Sequence, residues 1–476
     1  MISFTTGLYP HQQDAYDKLK GLKVGALYME MGTGKTRTML EIIKHKLDRG
    51  KIDRVIWFCP CSAKTNIKQD LEKHLASGHE RFIIVGIETL SSSTRAMVYL
   101  LKYTEEHRCL LVVDESNLIK NPQAIRTENM IKISSRCDYR YILNGTPVTR
   151  DERDLFSQWY LLDWRILGYQ SYWSFERNHV VFDKHVPLKV VGTKNVDYLS
   201  RKIAPYTYQV KKDECLDLPK KNYKESYFRM TSDQWADYYD CGNYLIELLD
   251  ERFPDTIYRL FNVLEMISAG FHVVIKDGDT IVKEFLDDGN PRLDELMNAV
   301  QRWPNDKIII FCKYTKEVLS VSRALKERYG DGSTVLYYGE MSRKERDASI
   351  KNFKDDARFF VANKSCAGYS LNLQFCSKVI YYNNDWNFGT RAQSEDRVHR
   401  IGQDKEVEYL SIIAEDTLEE RIINCLKNKE SLVSAFQKEV KNKQKASIKE
   451  LAKSFIASKK KQQVKVYEEN TDGQSI

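Results

Sequence analysis

The feature that most constrains this chain is a rhythm of short apolar runs separated by polar, helix-like segments. In the first 160 residues the runs are Val24–Met29, Val55–Phe58, Phe82–Val85, Leu110–Val113 and Tyr139–Leu143. Apolar runs of that length, alternating with helical patterns, predict βα units on a parallel sheet. The rhythm returns at Ile308–Phe311, Val335–Tyr338, Phe359–Ala362 and Val379–Tyr382. Between the two series, residues 150–300 are rich in Tyr, Trp and charge. Helical periodicity runs over Gln234–Leu249 and Thr256–Ile267, and Phe271–Lys276 and Thr280–Glu284 flank Asp277-Gly278-Asp279 as a β-hairpin would. The expected fold class is α/β: two parallel-sheet lobes, a mostly helical insertion between them and a helical C-terminal extension. The expected boundaries are 1–225 for the first lobe and the start of a helical protrusion, 226–290 for the insertion, 291–430 for the second lobe and 431–476 for a basic helical brace and tail.

Composition supports folded domains. The chain has 476 residues, 42% hydrophobic, with only 10 Pro and 22 Gly, which excludes wholesale disorder and collagen-like structure. Its longest apolar runs, such as Ile308–Cys312, fall far short of the roughly 20 residues that span a bilayer. Met1–Pro10 lacks a basic stretch followed by an apolar one, so no secretory signal is expected. The 10 cysteines show no zinc-ribbon spacing and read as buried, reduced thiols. The formal net charge is +7. Lys438 to Lys465 holds ten lysines and two glutamates, so the excess sits near the C-terminus on an otherwise near-neutral chain. Such a segment suits either a polyanion partner or a solvated helical face.

Met31-Gly32-Thr33-Gly34-Lys35-Thr36 follows the predicted strand Val24–Met29 and precedes a helical pattern over Thr38–Leu47. Strand, glycine loop and helix are the context a phosphate-binding loop requires. Glycines let backbone N–H groups turn toward phosphate oxygens, and the helix N-terminus faces the same charge. Lys35 would reach the β and γ phosphates, and Thr36 would ligate magnesium. The strict pattern has glycine where Met29 stands, so the loop is a variant form. Asp114-Glu115 ends the apolar run Leu110–Val113. Asp114 would hold the metal, and Glu115 would orient and deprotonate an attacking water. In-line cleavage of a γ-phosphate also needs positive charge on the transition state. Arg397 and Arg400, three apart and so on one face if helical, are candidates to supply it.

These arginines lie in Gln393-Ser394-Glu395-Asp396-Arg397-Val398-His399-Arg400-Ile401-Gly402-Gln403, which resembles the last helicase motif of the Swi/Snf-type ATPases, with Ser394 in place of the family's alanine. The other motifs fall in order. Leu8-Tyr9-Pro10-His11-Gln12 is similar to the entry motif, Pro60-Cys61-Ser62 with Asn66 to the first DNA-contacting motif, and Asp114-Glu115-Ser116-Asn117 to the Asp-Glu box. Asn144-Gly145-Thr146-Pro147 resembles the Gly-Thr-Pro motif, and Leu218-Pro219-Lys220 the landmark after the first lobe. Ile310-Phe311-Cys312, Tyr338-Gly339 with Arg346, Ala367-Gly368-Tyr369-Ser370-Leu371-Asn372-Leu373 and Asp385-Trp386-Asn387 resemble second-lobe elements. The resemblance runs from about Leu8 to Leu426. Asn117 stands where the family has histidine, Asn144 replaces a small hydroxyl residue, and Tyr206-Thr207-Tyr208 lacks paired arginines.

The resemblance implies two RecA-like lobes that hydrolyse ATP between them with Mg2+. It implies ATP contacts at Gln12, Gly32, Thr33, Gly34, Lys35, Thr36, Gly368 and Gln393, and catalysis by Lys35, Asp114, Glu115, Arg397 and Arg400. Thr36 and Asp114 would be the metal ligands, Gly145 and Thr146 would couple hydrolysis to movement, and Ser62, Lys64, Thr89, Lys313, Ser365 and Trp386 would touch DNA. The implied activity is a DNA-stimulated ATPase that translocates on double-stranded DNA, largely without regard to sequence, and remodels DNA or DNA–protein complexes. Strand-separating helicase action on DNA or RNA, or a nucleotide-gated clamp, are the alternatives. The expected form is a compact monomer without accessory domains, of viral or prokaryotic type. Its other partners would be proteins on DNA, it would have no membrane partner, and it would act inside the cell: in the cytoplasm of a prokaryote or virus-infected cell, or in a eukaryotic nucleus. The aromatics Trp159, Trp164, Tyr172 and Trp173 suit either helix packing or base stacking.

Overall fold

The computed structural model describes residues 2–145, 148, 152–182, 190–249, 256–276, 279–286, 289–364, 371–386, 388–429, 432, 435 and 448–456. The chain divides into two compact units, Met1–Leu218 and Pro219–Ile476. Both are α/β, and each is built on a six-stranded sheet whose strand pairs are all parallel.

In the first unit, β1 (Ser3–Phe4) pairs antiparallel with β4 (Leu75–Ser77) outside the main sheet. The main sheet comprises β2 (Val24–Met29), β3 (Arg54–Cys59), β5 (Phe82–Gly86), β6 (Cys109–Asp114), β7 (Tyr139–Leu143) and β10 (Thr207–Val210). Their order is β10-β2-β7-β6-β3-β5. The five apolar runs expected as strands all form. Four of them are largely buried because each face of the sheet carries its own hydrophobic cluster, as parallel sheets covered by helices require, while Phe82–Val85 is half-buried at the sheet edge. β10 was not anticipated: Thr207-Tyr208-Gln209-Val210 is too polar to announce a strand, and it gains its place by pairing with β2. A short antiparallel ribbon, β8 (Val180–Phe182) with β9 (Val190–Thr193), lies in the segment between β7 and β10.

Trp159 is fully buried against the first sheet and donates from Nε1 to the Tyr28 hydroxyl at 2.9 Å. Tyr172 packs edge-on against Phe156. For these two aromatics the structure selects core packing over base stacking, whereas Trp173 is 64% exposed.

The second unit begins with β11 (Lys221–Phe228), which runs parallel to β18 (Val407–Ala414) at the edge of the second sheet. The expected first-lobe limit at 225 falls inside this strand, whose polar sequence hides it. Tyr223 stacks on Tyr409 and Lys221 pairs with Glu395, so its contacts lie wholly with second-unit residues. The rest of the sheet is β14 (Ile308–Cys312), β15 (Thr334–Tyr337), β16 (Phe359–Asn363) and β17 (Lys378–Tyr381), in the order β11-β18-β17-β14-β16-β15. The insertion folds as expected into helices Ser232–Glu247 and Thr256–Ala269, followed by the antiparallel pair β12 (Phe271–Lys276) and β13 (Asp279–Phe285). The turn residues 277–278 lie outside the described residues. These elements share one core with the sheet face and with helices Leu418–Lys427 and Ile448–Ile456. Ile448–Ile456 is the described part of the expected C-terminal extension.

Arg292 organises that core from a fully buried position. Its guanidinium donates to the Tyr382 carbonyl at 2.6 Å, to the Ser268 carbonyl at 3.3 Å and to Glu419. A buried guanidinium is tolerable only with such pairing and hydrogen bonding.

Candidate functional site

Strands β2, β7 and β6 are neighbours, and their C-terminal ends carry the phosphate loop, Asn144-Gly145 and Asp114-Glu115. Ligands of open parallel sheets bind at this edge. The loop turns at Gly32 and Gly34, with φ of 82° and 89°, a conformation that glycine adopts freely. Helix Lys35–Asp48 then starts at Lys35, three residues earlier than the periodicity had placed it. Thr33 is buried and its hydroxyl donates to the Glu30 carbonyl at 2.7 Å. Lys35 Nζ donates to the Met29 carbonyl at 2.9 Å, so Met29, in the place of the usual glycine, contributes through its main chain. Thr36 is half-buried beside it at the helix start. Glu30 anchors the loop on its other side: its N–H donates to the Val210 carbonyl, and its carboxylate accepts from the Lys212 N–H at 2.8 Å.

Gln12 lies against this loop. It is 2% exposed, accepts from the Tyr9 N–H at 3.0 Å and donates to the Thr33 carbonyl at 3.1 Å. His11 donates from Nε2 to the same carbonyl at 2.8 Å. His11 belongs to the entry motif, and the sequence alone gives it no role there. A Cβ on Gly145 would lie 3.3 Å from the Met31 N, so Gly145 is where the β7 end comes close to the loop. Thr146 lies outside the described residues.

Asp114 and Glu115 are both half-buried at the end of β6. Burial and the neighbouring Glu115 charge push the Asp114 carboxyl above the usual carboxylate range, and the Lys35 ammonium pulls the other way. Glu115 takes up a left-handed backbone, φ 56° and ψ 55°, which is strained for a residue with a side chain.

Ser62, Lys64 and Thr89 come together at the ends of β3 and β5. Ser62 is exposed in the 3-10 turn Cys61–Ala63, Lys64 begins helix Lys64–His74, and Thr89 begins helix Thr89–Ser92. Glu88 ties the two ends together by accepting from the Cys61 N–H at 2.9 Å.

The second-unit residues are placed differently from expectation. Helix Phe388–Glu395 stops before Arg397, so Arg397 and Arg400 do not share a helix face. The chain tightens because Arg397 N–H bonds Ser394 and Val398 N–H bonds Glu395, each three residues back, while Val398 is drawn into the core. Arg397 is 9% exposed, Arg400 donates to Asn372, and Gln393 is half-buried on the helix. Lys313 pairs with the buried Glu265 carboxylate at 2.5 Å. Trp386 packs against Tyr258 with ring centroids 5.4 Å apart. Ser365 and Gly368 lie outside the described residues. Among the described residues no cluster of His, Cys, Asp or Glu has the makings of a self-contained metal site, and no helix is long and apolar enough to cross a membrane.

A glycine loop at a helix start, beside an acidic strand end, on one of two all-parallel sheets, has the make-up of a P-loop nucleotide site in an α/β chain of two units. Residues 61–254 match the SNF2-related domain, residues 291–402 the helicase conserved C-terminal domain, and residues 5–63 the res subunit of type III restriction enzymes. The chain thus carries matches to an SNF2-related domain and, after it, a helicase conserved C-terminal domain, in the order that the resemblance to the Swi/Snf-type ATPases implies. A Bacillus subtilis protein named as a candidate ATP-dependent helicase/translocase is 26% identical over 90% of this chain and 49% of its own length. An uncharacterized ATP-dependent helicase of Mycoplasma genitalium is 26% identical over 86% of this chain and 40% of its own. The chain thus spans less than half the length of these relatives. The solved SWI2/SNF2 ATPase core of Sulfolobus solfataricus in complex with dsDNA aligns over 96% of this chain and 98% of that one, with 23% identity and a TM-score of 0.41.

Proposed function

We propose that this chain is a translocase driven by ATP on double-stranded DNA, remodelling DNA or DNA–protein complexes. The observation that carries the reading is the gathering of the glycine loop and the Asp-Glu turn at the ends of β2 and β6, on either side of β7. There the N–H groups of the loop and the Lys35 ammonium bind the triphosphate, and Gln12, which rests against the loop, reads the base. Glu115 accepts the proton of the attacking water. Arg397 and Arg400 supply positive charge to the cleaving phosphoryl group.

Magnesium fits the donors present. The Thr36 hydroxyl and the Asp114 carboxylate are hard oxygen ligands, and a carboxylate whose charge is disfavoured by burial and by Glu115 gains from a cation beside it. When bound, Mg2+ would neutralise charge on the β and γ phosphates. Duplex DNA is supported by the exposed Ser62 and half-exposed Lys64 and Thr89 on one edge of the first sheet, polar groups suited to phosphate contact without base reading. Lys313, Trp386 and Ser365 complete the proposed DNA set. Gly368 and Gln393 complete the nucleotide set, and Gly145 with Thr146 the coupling pair.

The test is ATP hydrolysis with no nucleic acid, with duplex DNA, with single strands and with RNA, at low and high salt. Stimulation by the duplex that fades with salt is expected, with Lys35→Ala and Glu115→Gln reduced to background. Equal stimulation by single strands or RNA overturns the duplex reading in favour of a strand-separating helicase, and turnover that no nucleic acid alters overturns the motor.

A further inference from the structure

The strained turn that carries Glu115 is held by a side chain remote in sequence. Ser116 follows Glu115 and is fully buried. Its hydroxyl donates to Gln158 Oε1 at 2.5 Å. It also accepts from Asn144 Nδ2 at 3.4 Å. Gln158, itself fully buried on helix Asp154–Leu167, donates onward from Nε2 to the Asp154 carbonyl at 2.7 Å. The bonds run in one direction, from Asn144 to Ser116 to Gln158 to the helix main chain. The same helix grips the far end of the turn, where Ser157 donates to the Lys120 carbonyl at 3.3 Å and Asp154 pairs with Lys120 at 3.5 Å.

A left-handed backbone at a glutamate persists only where its surroundings over-determine it. The residues before it are fixed in β6, and those after it are fixed by this polar chain. We infer that Gln158 is a positioning residue for hydrolysis: through the Ser116 hydroxyl it holds the turn on which Glu115 is carried. The polar chain also gives a role to one departure noted in the sequence, the asparagine before Gly145, which donates to the Ser116 hydroxyl. A buried hydroxyl needs a partner, and Gln158 and Asn144 are the partners it has. The inference rests on the reading of Glu115 as the base.

Gln158→Met keeps the length and apolar bulk of the side chain and removes the acceptor. Expected is a fall in kcat of about 10-fold to 10²-fold, the scale of a misplaced reacting group, with KM for ATP within about twofold. Ser116→Ala should fall by a similar factor, Ser116→Thr should restore most of it, and the Gln158→Met/Ser116→Ala pair should be no worse than either alone. A packing role alone would lower the unfolding temperature and leave kcat at moderate temperature unchanged. Glu115→Gln is run alongside. If it loses turnover while Gln158→Met and Ser116→Ala keep wild-type kcat, the positioning role is overturned and the site reading stands. If Glu115→Gln itself retains turnover, the site reading falls and this inference with it. Should Gln158→Met fail to fold, the Ser116→Ala and Ser116→Thr pair decides the matter alone: loss in the first with recovery in the second supports the role, and full activity in the first overturns it.

Discussion

At the scale of single residues, the phosphate loop combines legible and hidden determinants. Gly32, Gly34, Lys35 and Thr36 are readable because phosphate binding demands their types at their spacing. His11 is not readable as a support of that loop, because its bond goes to a main-chain carbonyl 22 residues away and any chain has carbonyls. Gln158 is hidden for a related reason: a lone glutamine in a helical pattern carries no signature until its partner is known. Gly34 is the sharpest test of the loop. It holds φ 89°, and a Cβ there would lie 2.0 Å from Gln12 Nε2. Gly34→Ala must therefore displace Gln12 and strain the turn together. ATP affinity measured with a fluorescent nucleotide should fall by at least about tenfold, and the unfolding temperature should drop by several degrees, since such strain costs about 1–3 kcal/mol.

At the scale of elements, apolar density decided what could be foreseen. β2, β3, β6 and β14 are buried on both faces and announce themselves, whereas β10 and β11 sit at sheet edges with polar sequences and do not. Helix Phe388–Glu395 ends before the arginine pair because buried Glu395 and Val398 set the backbone there, a tertiary cause that periodicity cannot show. The helix Thr256–Ala269 carries a further consequence. Burial, the largest cause, raises the Glu265 carboxyl from an ordinary value of 4.5 to about 7, Lys313 pulls it down, Asp385 pushes it up and Lys364 pulls it down. The folded chain therefore holds a proton on Glu265, between those two values, that the unfolded chain has released. Stability from this group falls as pH rises through that window. The unfolding temperature of the wild type should drop between about pH 5 and about pH 7.5, and Glu265→Gln should drop by less. The variant still carries Glu317, likewise raised to about 7 chiefly by burial, so a residual slope is expected.

At the scale of the whole molecule, the two-lobe plan was legible because the strand rhythm occurs twice, while the place of division was not. It falls at Leu218, ahead of β11, rather than at 225. The pairing of β11 with β18 joins Lys221 to Val407 across most of the second unit. The first unit, by contrast, has its last sheet strand in hand by Val210. During synthesis the two therefore mature on different schedules. The first can close its sheet once Val210 is made, whereas in the second β11 lacks its partner until Val407–Ala414 has emerged, since pairing across such separations is slow and late. Nascent chains arrested shortly before Val407 should show a protease-resistant first unit and a digestible second one, and arrest beyond Ile456 should protect both. Until then the exposed edge of β11 is an aggregation hazard, which makes the ribosome-bound interval, rather than the finished enzyme, the stage at which this chain most needs a chaperone.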